Sequence, residues 1–155
     1  MNQKTLETLN ERLKERSIPA RLIEDGRILT VLLSPPVTPF DIYGDIYYAD
    51  YPADEVPDGL LVQEWEVQDI TALPDAVHAA VSTRAAVLNA DLPAGGYGIR
   101  VAEDGSDQVM LVYRMVLPVG QTGEETWRED ELMETVETAA AVLGATAELL
   151  MTEEK

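Results

Sequence analysis

The stretch Val87 to Leu117, VLNADLPAGGYGIRVAEDGSDQVMLVYRMVL, separates one fold class from another. Ala85, Ala86, Val87 and Leu88 complete a helical pattern that Pro93 stops. Gly95, Gly96 and Gly98 then supply the backbone freedom that a sharp change of direction needs. Ile99 and Val101 alternate with Arg100 and Ala102, EDGSDQ carries an Asp-Gly turn signal, and Val109 to Leu117 returns as a long apolar run. The segment predicts a helix followed by a hairpin and contains no catalytic motif.

Working towards the N-terminus, Leu60 to Ile70 places Leu61, Gln63, Trp65, Val67 and Asp69 on one face. Val62, Glu64, Glu66 and Gln68 fall on the other, which predicts a strand half buried on the Trp65 side. Thr71 or Asp75 is expected to cap the helix between that strand and the hairpin, with Leu73, Val77, Ala80, Val81, Arg84 and Leu88 as its stripe. Phe40, Ile42, Ile46, Tyr47, Tyr48 and Tyr51 are β-prone, and a strand is expected near Asp45 to Ala49, broken from what precedes it at Gly44. SPPVTP, from Ser34 to Pro39, lacks ladder donors at its prolines and is expected to be a rigid loop or an edge crossover. Arg21 to Glu24 and Arg27 to Leu33, joined at Asp25-Gly26, predict a hairpin whose second strand is apolar enough to be central.

At the ends of the chain the period changes. Leu6, Leu9 and Leu13 fall on one face of a helix over Thr5 to Arg16, with Thr5 or Asn2 available as its cap. From about Trp127 to Met151, Leu132, Met133, Val136, Ala139, Ala140, Leu143, Ala147 and Leu150 trace the apolar face of a long helix. The expected fold is a single α+β domain over residues 1–155, a mainly antiparallel twisted sheet flanked by three helices in the order α-β-β-β(-β)-α-β-β-α.

Eleven basic residues against 29 acidic ones give a formal net charge of −18, which repels phosphate backbones and anionic lipid. Neither nucleic acid nor membrane is an expected partner. The acidity is dispersed rather than gathered in a tail, the pattern of a solvated surface. There is no cysteine, which excludes disulfides, thiolate metal sites and cysteine nucleophiles. Met1 to Ser17 is charged and amphipathic, without the apolar core of a signal peptide, and no run approaches the ~20 apolar residues of a membrane span. The expected location is the cytoplasm.

Catalytic chemistry has little to stand on. His78 is the only histidine, with Asp75 and Ser82 within a turn of it, but helical neighbours rarely offer the orientation and oxyanion donors of acyl transfer. A partly exposed or capping histidine is the plainer expectation. EDGSDQ lacks the alternating ligands and terminal glutamate of a calcium loop. AGGYG precedes a strand rather than a helix, the reverse of a phosphate-cradling loop. No catalytic residue, metal or cofactor is expected. The tyrosines at 43, 47, 48 and 51 lack interleaved basic residues for stacking on bases, so they are expected to pack a sheet face or bind a protein segment.

In element order, in the Val87-Leu88-Asn89 step into the Gly95–Gly98 turn, and in the hairpin before a long last helix, the chain resembles the type III secretion chaperone superfamily, which includes Tir-chaperone-like and YbjN-like domains. The likeness spans roughly Leu6 to Leu150; Ser34 to Pro39 and the tyrosine patch stand outside its pattern. It implies a non-enzymatic homodimer that holds an extended segment of an effector or other client. The implied dimer interface is Val77, Val81, Arg84 and Leu88 with Met110 and Val112, and the candidate partner-binding residues are Leu6, Leu9, Leu13, Tyr47, Tyr48 and Trp65. The face of Leu6, Leu9 and Leu13 has a second reading, that it simply covers the sheet. The alternative function is a YbjN-like regulatory or small-ligand domain, with Tyr43, Tyr47, Tyr48 and Tyr51 lining a pocket, and an enzyme relying on carboxylates and His78 is the remaining one.

Overall fold

Nine elements form in a computed structural model that describes residues 2–49, 60–102, 107–118 and 129–151. They are α1 (Asn2–Glu15), β1 (Ala20–Ile23), β2 (Ile28–Leu33), β3 (Ile42–Ala49), β4 (Leu60–Asp69), α2 (Asp75–Asn89), β5 (Gly96–Val101), β6 (Val109–Pro118) and α3 (Glu129–Met151). The α+β fold expected from the sequence is the one observed, with four strands before the middle helix.

The strands make one six-stranded sheet in the order β1-β2-β3-β4-β6-β5, antiparallel at every pairing. The β1–β2 turn is tight because Glu24, Asp25 and Gly26 all adopt positive φ, a region that Asp tolerates and Gly enters freely. β2 pairs on both sides, as its apolar sequence predicts. β4 meets β6 across a bulge between Glu66 and Gln68.

Strand alternation gives the sheet two unlike faces. Leu29, Val31, Ile42, Ile46, Leu61, Trp65, Leu111 and Tyr113 turn to one side and are buried. Leu6, Leu9 and Leu13 of α1, Val81 and Ala85 of α2, and the apolar stripe of α3 complete that core from the same side. Gln63 lies in it too, donating from Nε2 to Thr135 Oγ1 at 2.6 Å and accepting from Trp65 Nε1 at 3.4 Å. A buried amide is tolerated because both its ends are partnered.

Three local expectations are corrected, and a fourth is decided between its alternatives. β3 starts at Ile42 and runs through Gly44 without a break, because Gly44 faces Trp65 across the ladder and its missing side chain makes room for the indole. β5 starts at Gly96 rather than Ile99, since Asn89 holds the backbone of Tyr97 in extended form. Neither Thr71 nor Asp75 caps α2; Pro74 occupies that place with no side-chain bond, and Thr71 is bonded to Asp69. Of the two readings of Ser34 to Pro39, the loop is the one observed: it joins two inner strands rather than crossing an edge, and Val37 is seated against Gly144 of α3. Asn2, Thr5, Tyr51, Trp127 and the tip of the EDGSDQ turn fall outside the described residues or side chains.

Candidate interaction surfaces

The candidate partner-binding residues divide. Leu6, Leu9, Leu13 and Trp65 are fully or almost fully buried in the chain's own core, so they present no surface to a partner, and the Leu6–Leu13 stripe covers the sheet. Tyr47 lies half buried on the sheet face turned away from the helices, where its hydroxyl donates to Glu64 Oε2 at 3.4 Å. The side chain of Tyr48 is outside the described residues.

The implied dimer set divides as well. Val81 is buried, Val77 and Leu88 pack against the core, and all three belong to α2. Met110 and Val112 alternate with Leu111 and Tyr113 on β6 and so lie on the opposite side of the sheet from the helices. The six residues therefore cannot form one surface.

What α2 does present outward is different. Asp75, Ala76, Ala79, Ser82, Thr83, Ala86 and Val87 are exposed, and Asp75 in the first turn is the one charge among them. Arg84, between them, turns to α3 and donates from Nη1 to the Leu150 carbonyl at 3.1 Å, a cation placed at a helix C-terminus. Between the two helices lies a cleft of about 480 Å³ lined by Arg84, Val87, Leu88, Asp91 and Leu149 among others. Val87 is 68% exposed and Leu149 58% exposed beside it. A second cleft, about 410 Å³, lies between α3 and the Ser34–Pro39 loop and is lined by Val37, Val136 and Ala140 among others.

The outer face of the sheet carries a polar row. Thr30, Asp45, Glu64 and Arg114 stand side by side in register on β2, β3, β4 and β6. Arg100 reaches from β5 across β6 to bond Glu64 and, at 2.9 Å, Glu66. Burial raises the Asp45 carboxyl above its ordinary range, Glu66 and Glu64 push it further, and the Thr30 hydroxyl at 3.0 Å offsets only part of this. Tyr43, 54% exposed, completes the face beside Glu66.

A carboxyl whose pKa is raised on folding lowers stability above that pKa, and the penalty disappears as pH falls towards the unfolded value. Asp45→Asn keeps an acceptor for Thr30 while removing the charge. It is expected to raise the urea midpoint at pH 7 and to have a vanishing effect in acid; a larger gain in acid than at neutrality would refute this account of Asp45.

His78 is half buried at the start of α2, and its Nε2 donates to the Ile70 carbonyl at 2.5 Å. That bond ties α2 to the end of β4. Among the described residues no group of three or more His, Asp or Glu is placed to hold a metal ion, and no helix is long and apolar enough to cross a membrane. Comparison with protein-family models, curated proteins and solved structures gave no match to this chain.

Proposed function

We propose that this chain is a non-enzymatic, cytoplasmic homodimer that binds an extended segment of another protein, as the resemblance to the secretion-chaperone superfamily implies. The observation that supports dimerisation most directly is the outward face of α2 beyond its first turn, where Ala79, Ser82, Thr83, Ala86 and Val87 carry no charge. A protein with a net charge of −18 repels its own copy over most of its surface. Two α2 faces that meet beyond the first turn leave Asp75 at the rim and bury no unpaired charge, and their alanines let the helix axes approach closely. Val87 and Leu149 protrude beside a cleft on the same surface, so a two-fold axis brings each protrusion to the other copy's cleft.

Light scattering is expected to find a dimer at micromolar concentration. Raising sodium chloride from about 20 mM to about 300 mM is expected to tighten it, because the repulsion between copies is screened. Val87→Glu is expected to weaken it at least about tenfold with the melting temperature unchanged, since Val87 contributes little to the core. A wild-type protein that stays monomeric at both salt concentrations would end this reading.

A further inference from the structure

We propose that the outer edge of β5, at Ile99 to Val101, accepts an extended lysine- or arginine-bearing segment of another protein as a seventh strand. The proposal rests on the protein-binding reading above and gives it a site and a partner chemistry.

β5 is an end strand of the sheet, so every second residue turns its backbone N–H and C=O away from β6. Ala102 donates to Gln108 across the hairpin, which assigns the even-numbered residues to the ladder. Tyr97, Ile99 and Val101 therefore present their peptide groups to the outside. At Tyr97 the position is already taken. The Asn89 side-chain amide accepts the Tyr97 N–H at 2.8 Å and donates to the Tyr97 carbonyl at 2.9 Å. A planar amide offering one acceptor and one donor to a strand edge has the chemistry of a peptide group, so Asn89 stands in for a residue of a neighbouring strand.

Ile99 and Val101 have no such partner among the described residues, and Val101 is 61% exposed. The usual protections of an edge are missing there. β5 has no proline and no bulge, and its one charged side chain, Arg100, is turned across the sheet to Glu64 and Glu66.

Charge selects the occupant. Arg100 is committed to two carboxylates, exposed Asp91 and Asp107 flank β5 in the chain, and the whole protein is strongly acidic. A basic segment is drawn to this edge, whereas a second copy brings another −18 charges to it. Backbone bonds supply affinity and alternate side chains supply selectivity in such an addition.

The test uses a fluorescent ten-residue peptide of alternating valine and lysine, the same peptide with glutamate for lysine, and a lysine version N-methylated at alternate residues. The lysine peptide is expected to bind, to protect the Ile99 and Val101 amides from hydrogen exchange, and to lose affinity with salt; the other two are expected to bind at least about tenfold more weakly. Val101→Pro removes one outward donor that the ladder does not use and is expected to weaken binding by about tenfold. Asn89→Ala frees the Tyr97 site and is expected to tighten it several-fold. Equal binding of the N-methylated or glutamate peptide overturns the proposal. So does concentration-dependent protection of Ile99 and Val101 in the protein alone, which would give the edge to a second copy. Both variants leave the α2 face intact, so the dimer measured by light scattering is judged separately.

Discussion

Gly44→Val is expected to abolish folding, and Gly44→Ala to cost about 3 kcal/mol, the upper part of the range for overpacking a core. Gly44 lies in the middle of β3, directly opposite Trp65 on β4. A Cβ there would enter the six-membered ring of the indole, striking Cδ2, Cε3 and Cζ3. The ring has nowhere to go. Trp65 is fully buried among Leu61, Leu111 and Tyr113, and its Nε1 is bonded to Gln63. Against a total stability of roughly 5–15 kcal/mol for a domain, that clash is decisive. Adding Trp65→Leu to Gly44→Ala removes the obstacle, so the double variant is expected to be more stable than the sum of the single effects by about 1–2 kcal/mol. Urea denaturation of the four proteins measures the coupling; additive effects would mean that the ring does not overlie Gly44.

Leu13→Ala is expected to cost about 2–5 kcal/mol of folding stability rather than to remove a binding site from a stable protein. Leu13 is fully buried, and with Leu6 and Leu9 it joins α1, which packs chiefly against β1 and α3, to the core. Truncation leaves a cavity under α1 that packed neighbours cannot fill. Glu11→Ala, on the exposed side of the same helix, is expected to change stability by no more than about 0.5 kcal/mol. Thermal unfolding of both variants separates the two roles. A Leu13→Ala protein that melts like wild type would return the Leu6–Leu13 stripe to the list of binding surfaces.

These two residues mark where periodicity is informative and where it is not. Leu6, Leu9 and Leu13 announce a one-sided helix, and strict alternation announces β4, because side-chain direction follows backbone geometry over a few residues. The same periods cannot say what lies opposite an apolar face. A stripe that covers a sheet and a stripe that grips a client look identical until the sheet is in place. Gly44 likewise signals a break when only its neighbours in sequence are considered, since glycine weakens a strand. Across the ladder from Trp65 it is instead what allows the strand to pass.

Asn89 carries the same lesson. As a polar residue at the end of a helix it resembles any C-terminal residue of a helical run, and its bonds to Tyr97 depend on how the Gly95–Gly98 turn brings β5 back past α2. The polar row from Thr30 to Arg114 arises in the same way, from register between strands that the chain visits at different times.

By itself, then, the sequence of Val87 to Leu117 determined a helix, a turn and a returning hairpin, and with the flanking periods it determined the α+β order. Those are local matters, decided by backbone preference and the spacing of apolar residues. Only the tertiary structure decided that Leu6, Leu9, Leu13 and Trp65 are core, that Met110 and Val112 lie on the far side of the sheet from α2, and that the amide of Asn89 closes the first site of an edge that no other described residue bonds at Ile99 and Val101. Each of these is a contact, or a missing contact, between residues brought together by strand register and helix packing, and no spacing along the chain encodes it.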